Sequence, residues 1–201
     1  MWISYAERPL NADQLCHAPA VETGSLNLNT SNVPSIDTLL ACGQRLIVVE
    51  KEASTVRLIH STLQEYLRAH PDIFTAAHSV MAEILLSYLN SQQVKPFSTS
   101  PSPDLQDTPF LEYSSMYWGV HAKKDLSVCA KLLALKLFND HNSNISTKIL
   151  MRAQNIWSID AERFSWFSGL HCASFFGIVE IVAVLVQYRW RVVILTEWFS
   201  G

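Results

Sequence analysis

Val56-Arg57-Leu58-Ile59-His60-Ser61-Thr62-Leu63-Gln64-Glu65-Tyr66-Leu67 changes its hydrophobic period part-way along. Val56 to His60 alternates apolar and polar side chains, the period of a half-buried strand. From Ser61 or Thr62, either of which can cap a helix, the run Leu63 to Arg68 is helical and closes before Pro71. Just upstream, Leu46-Ile47-Val48-Val49-Glu50 is short and β-branched, and Lys51 to Thr55 is a polar turn. Two such runs around a short polar turn predict a β-hairpin. Before the hairpin, Ser35 is placed to cap a helix over Ile36-Asp37-Thr38-Leu39-Leu40 that ends near Gly43. Further upstream, Asn11 and Asp13 are placed to cap a helix through Leu15-Cys16-His17-Ala18, and Pro19 should stop or bend it. The polar stretch Gly24 to Pro34 reads as a loop.

Two short helices, a hairpin and a following helix outline a winged-helix module over residues 1–74. Residues 75–94 hold a longer helix, Ala76 to Gln92, with Val80, Met81, Ile84, Leu85, Tyr88 and Leu89 at helical spacing. Residues 95–109 carry Pro96, Pro101, Pro103 and Pro109 among Ser and Thr and read as an exposed linker. A helical spacer is expected over 110–165, with helices at Phe110 to Lys123, Leu126 to Asn139 and Ser146 to Ala153. In the second of these, Val128, Leu132, Leu135 and Phe138 form one stripe, widened by Leu133 and Leu137. The fold class is therefore mainly α.

Composition limits the function. The chain has 201 residues, a formal net charge of -3 and 49% hydrophobic residues. Its 16% charged residues fall below the roughly 25% usual in soluble domains, as expected of surfaces covered by other parts of a longer chain or by an oligomer. Nucleic-acid binding is not expected, because phosphate contacts need clustered Lys and Arg. Cys16, Cys42, Cys129 and Cys172 are scattered with no CxxC pair, and Met1 to Arg8 has no basic region leading into an apolar run. Buried free thiols in a cytoplasmic protein are the expectation. Phe175 to Val186 is apolar apart from Glu180, and Val192 to Leu195 continues the trend. Glu180, Gln187, Arg189 and Arg191 interrupt it, so a buried core helix is expected there and not a membrane span.

Ser168-Gly169-Leu170-His171-Cys172-Ala173-Ser174-Phe175-Phe176-Gly177 resembles the opening of an ankyrin repeat. Ile178 to Val186 resembles that family's second helix, with Ile181, Val182 and Leu185 inward. In the resemblance Ser168 replaces the usual Thr and keeps a hydroxyl for the His171 ring. Gly169 replaces the usual Pro, and Gly177 is the inter-helix glycine. Ser168, Gly169, Leu170, His171, Ala173 and Gly177 are thus motif residues with structural roles. Trp2 to Leu10, Leu15 to Ala18 and above all Val56 to Leu67 resemble the winged-helix region that follows the NACHT module of fungal NOD-like receptors, the GPI inositol-deacylase type. Pro19 departs from that family's usual apolar residue. In those receptors a helical spacer and ankyrin repeats follow, an order that fits residues 1 to about 187. The resemblance implies one incomplete ankyrin-type helix pair over 166–187. It also implies a non-enzymatic, protein-binding regulatory module that couples a nucleotide-binding domain to a repeat sensor. Residues 188–201 do not resemble a next repeat, and about three repeats are needed for a stable stack. A truncated or mispredicted gene product with an aggregation-prone tail is therefore an alternative expectation.

No G-x-x-x-x-G-K-[ST] loop and no G-x-S-x-G elbow occurs in the sequence. Neither nucleotide hydrolysis nor lipase-like chemistry is expected, and no cofactor. The rival class is a winged-helix DNA-binding protein, but its recognition helix would be Ile36 to Cys42, which carries Asp37 and no basic residue. His60, Ser61 and Glu65 are sequence neighbours, whereas triads are built in space; the expected roles are strand end, cap and helix-dipole partner. Cys16, His17 and Cys42 lack a fourth metal ligand, so no metal is expected there. His171 reads as a turn-bonded structural residue. Trp118 and Tyr117 are expected to pack their helix. Trp157, Phe164, Trp166, Phe167, Phe175 and Phe176 are either core or a binding surface. The candidate interaction residues are Arg57, Glu65 and Arg68 at the hairpin-to-helix joint, with Phe175 and Phe176 on the repeat.

Overall fold

The computed structural model describes residues 1–25, 27–50, 52, 54–98, 108–139, 145–153 and 168–187. The chain opens with helix α1 (Trp2–Tyr5), strand β1 (Leu10–Asn11) and helix α2 (Ala12–His17). Asn11 caps α2: its side chain accepts from the Gln14 amide while the Gln14 side chain accepts from the Asn11 amide. Pro19 ends α2 as expected, and Ala18–Ala20 form a single 3-10 turn. Helix α3 (Ile36–Cys42) begins at Ser35, whose hydroxyl accepts from the Thr38 amide, and stops at Gly43. Strands β2 (Ile47–Glu50) and β3 (Thr55–Leu58) form the hairpin.

The sheet holds one more strand than the sequence pattern indicates. β1 pairs antiparallel with β3, Leu10 opposite Val56, and β2 pairs on the other side, Ile47 opposite Leu58. The order is β1-β3-β2. Leu10 and Val56, both 2% exposed, are what the sheet contributes to the core. Helix α4 (Ser61–Ala69) follows, with His60 as its N-cap and no side-chain capping bond. Ser61 is thus the first helical residue and not the cap, and His60 lies past the end of β3.

The rest is helical. α5 (Ala77–Leu89) packs most extensively on α6 (Leu111–Lys124) and also on α7 (Val128–Asn139), while α8 (Ile145–Ala153) lies against α6. α9 (Gly169–Phe176) touches both α6 and α7. The common core contains Met81, Leu85, Leu86, Tyr88 and Leu89 of α5, with Phe110, Tyr113 and Trp118 of the α6 segment. Asn90 ends α5 early. Its buried amide donates to the Leu86 carbonyl at 2.9 Å and the Leu133 carbonyl at 3.0 Å, tying the end of α5 to α7.

Several expectations change. On α7 the inward face is Ala130, Leu133, Ala134 and Leu137, while Val128 and Leu132 are 77% and 62% exposed. The predicted stripe is thus split: Leu135 and Phe138 pack part-buried against the core, Phe138 on Trp118, while Val128 and Leu132 face outward. Val80 on α5 is also exposed. The linker is not wholly exposed: Thr108, near its C-terminal end, is buried, and residues 99–107 lie outside the described residues. Phe175 to Val186 is not one buried helix. Gly177 divides it, residues 179–187 are helical again, and Phe175 and Val179 are exposed. No helix among the described residues is long and apolar enough to cross a membrane. Trp157, Phe164, Trp166, Phe167 and residues 188–201 lie outside the described residues. The result is a mainly helical chain with a small three-stranded antiparallel sheet.

Candidate functional site

The first nine residues form a strap between the sheet-bearing module and the helical stack. Trp2 is buried in the stack, edge-on to Phe110 at 5.6 Å and to Tyr113 at 6.4 Å between ring centroids. Two residues on, the strap turns to the other module. Arg68 Nε of α4 donates to the Ser4 carbonyl at 2.7 Å, and Tyr5 Oη donates to the Leu67 carbonyl at 3.0 Å. The Glu7 amide then donates to Tyr113 Oη at 3.1 Å, returning the strap to α6.

Beside this crossing, two histidines meet. His78 on α5 and His121 on α6 bring their Nδ1 atoms to 2.8 Å, with ring planes 30° apart. His121 is fully buried, and its Nε2 lies 3.2 Å from Tyr113 Oη. One proton order fits these distances. The Glu7 N–H donates to Tyr113, the Tyr113 hydroxyl donates to His121 Nε2, and His121 Nδ1–H donates to His78 Nδ1. Burial lowers the His121 pKa to about 4, helped by the neighbouring His78. Burial also lowers His78, with Lys124 adding to the effect and Glu7 opposing it. Burial pushes the Tyr113 hydroxyl up, so it stays protonated.

Glu7 faces this pair, paired with Lys124 Nζ at 2.5 Å. Tyr5, Ala6, Glu7, Arg68, His78 and Lys124 line an open cleft of about 490 Å³. One ligand atom from each of Glu7, His78 and His121 lies within 4.8 Å of the others. Such a cluster can bind a ligand or hold a proton.

A second surface lies on the sheet. Leu40, Arg45, Ile47, Val48, Val49 and Ile59 line a shallow apolar depression of about 530 Å³. Leu46 and Ile59 are large apolar side chains left exposed there.

The residues singled out in the sequence are spread over several places. Arg57 pairs across the hairpin with Glu50 at 3.8 Å, both well exposed, and Glu65 is exposed on α4. Arg68 is engaged with the strap. Phe175 is half exposed, whereas Phe176 is 6% exposed and packs edge-on against Trp118 at 5.1 Å. Phe176 is therefore a core residue of the α6–α9 contact and not part of an outer surface. Trp118 is fully buried, as expected of a packing residue. His60, Ser61 and Glu65 all lie on the exposed side of α4. Cys16 is buried and Cys42 exposed, His17 bonds the Asp13 carbonyl, and all four cysteines are free. Two of those thiols, Cys42 and Cys129, are exposed, against the expectation of burial.

The repeat-like turn is formed in detail. Ser168 N and Oγ lie 3.1 and 3.0 Å from His171 Nδ1, a capping box that fixes the start of α9. Gly177 closes α9 at φ +69, the left-handed region that favours glycine. Leu170 is half-buried and Ala173 buried. Glu7, Tyr113, His78, His121 and Lys124 carried no sequence signal, because the contacts join positions far apart in the chain.

No family model, no curated protein and no solved structure matches the chain.

Proposed function

We propose that the chain is a non-enzymatic coupling and protein-interaction module of the fungal NOD-like receptor type. Residues 1–74 are its winged-helix part, and they link a nucleotide-binding domain outside these 201 residues to ankyrin-type repeats. The observation that carries the reading is the strap. A rigid piece of four helical residues, Trp2–Tyr5, is buried in the helical stack at Trp2 and bonded to α4 at Ser4 and Tyr5. A tilt of one module is thereby delivered to the other by packing, with no chemical step.

Two further features support the family assignment. The order helix, strand, helix, helix, hairpin, with the first strand beside the last, is compatible with a winged-helix reading. The Ser168–His171 capping box and the left-handed Gly177 are compatible with an ankyrin-type opening. Four free thiols suit a cytoplasmic setting. The exposed joint residues Arg57 and Glu65, and the apolar depression beside them, are the surface offered to the nucleotide-binding domain.

The test is co-expression of the chain with a NACHT-type domain from the same genome. A co-purifying complex that Arg57→Glu or Ile59→Asp disrupts supports the reading. A chain that ignores that domain, yet holds duplex DNA in a salt-dependent way, replaces it with the DNA-binding alternative.

A further inference from the structure

We propose that Glu7, His78 and His121 form a binding site for a divalent transition-metal ion of the zinc class, which pins the N-terminal strap to the helical stack. The site goes beyond the coupling role and does not depend on it. One ligand atom from each residue lies within 4.8 Å of the others. The three come from the loop after α1, from α5 and from α6, so an ion held by all of them bridges three separate elements.

The donor set is two imidazoles and one carboxylate, a combination that zinc accepts with a fourth position left open. The two Nδ1 atoms face one another at 2.8 Å. On a tetrahedral ion with bonds near 2.0–2.1 Å, two nitrogens sit about 3.3 Å apart. The pair must therefore open by about half an ångström, a movement within reach of a small side-chain rotation of His78, which is only half-buried near the start of α5. His121 carries the outer support that ligating histidines use, a partner on the ring nitrogen that does not face the ion. That partner is Tyr113 Oη at 3.2 Å, itself held by the Glu7 amide. When the ion takes Nδ1, the His121 proton resides on Nε2 and Tyr113 accepts it. The open cleft beside Glu7 and His78 supplies the path for the ion and room for water in the fourth position.

Lys124 works against the ion. Its ammonium pairs with Glu7 and has to swing out, which its 45% exposed side chain permits. Arg68 adds a second positive charge at the cleft. The site is accordingly weaker than one without these cations, and loss of Lys124 strengthens it.

The full chain, with its exposed thiols Cys42 and Cys129 alkylated, is titrated with Co²⁺ and then Zn²⁺. The expected result is one equivalent of Co²⁺ with visible ligand-field bands, displaced by Zn²⁺. Ligand loss in His78→Gln should cut affinity on the order of 100-fold and Glu7→Gln about 10-fold, whereas Lys124→Met should raise it about 10-fold. Absence of saturable uptake, or uptake that His78→Gln and Glu7→Gln leave unchanged, overturns the proposal. If His78→Gln loses its helical circular dichroism, the other two variants decide. Opposite shifts from Glu7→Gln and Lys124→Met support the site, and any other pattern overturns it.

Discussion

His121 sits in an environment far from that of an ordinary histidine. It is fully buried, its pKa is lowered to about 4, and its Nδ1 touches a second histidine. In the unfolded chain an imidazole titrates near about 6.5. Between those two values the unfolded state binds a proton that the folded state refuses, so stability falls as pH falls. Glu7 and Asp125 favour protonation of His78, while Lys124 and Arg68 oppose it, and the net direction there is also downward. With a chelator present, the chain should lose about 2 kcal/mol between about pH 7 and pH 5, of roughly 3 kcal/mol available down to pH 4. Most carboxylates do not titrate in the upper part of that window; the Met1 amino group, which burial also lowers, adds to the loss from the histidine pair. Urea midpoints at the two pH values measure it, and His121→Gln should flatten the difference. An equally steep loss in His121→Gln would assign it elsewhere.

Among the elements, α7 tests how packing chooses between two apolar faces. Its sequence offers a wide apolar face, Val128, Leu132, Leu135 and Phe138 with Leu133 and Leu137; Leu133 and Leu137 are buried, Leu135 and Phe138 pack part-buried on the core, and Val128 and Leu132 are exposed. Periodicity identifies a helix but not which part of a wide apolar face meets a neighbour; Ala130 and Ala134 lie with Leu133 and Leu137 on the buried side. Leu133→Ala should therefore cost about 2–4 kcal/mol, against less than about 0.5 kcal/mol for Leu132→Ala, read from chemical denaturation of each variant. The reverse ranking would mean that the helix is rotated. Elements with strong local grammar were legible in the sequence. Ser35 and Asn11 cap α3 and α2, Pro19 ends a helix, and the β2–β3 hairpin follows from alternation. β1 was not, since two residues carry no period, and its pairing with β3 is a long-range contact. Gly169 shows a similar limit. It stands where the resembled repeat has Pro, and a Cβ there would lie 2.4 Å from Phe138 Cγ of α7. Gly169→Ala is expected to destabilise the docking of α9 by about 1–3 kcal/mol through overpacking, seen as faster amide exchange across Gly169–Phe176. Unchanged exchange would show that Phe138 yields without cost.

At the scale of the whole molecule, the strap decides whether the chain unfolds as one body or two. The sheet-bearing module has the smaller share of the core: α3 and α4 contain no buried residue, while Leu10, Leu15, Ala18, Val21 and Val56 are buried. The helical stack, by contrast, holds most of the large buried side chains, from Met81 to Trp118. Trp2 joins the two, since it fills the stack at Phe110 and Tyr113 while its neighbours Ser4 and Tyr5 hold α4. Truncation of a buried Trp removes its transfer energy and leaves a cavity, about 3–5 kcal/mol together. Trp2→Ala removes that energy from the largest apolar side chain of the strap, one of several contacts that couple the modules beside Glu7 with Tyr113 and Gly24 with Ser87. Residues 1–74 should then melt first, while the helical stack persists to a higher temperature. Calorimetry distinguishes the outcomes: two separated transitions in Trp2→Ala against one in the native chain. A single transition, merely shifted down, would show that β1, α2 and the cleft contacts around Glu7 suffice to keep the modules cooperative without the strap's anchor.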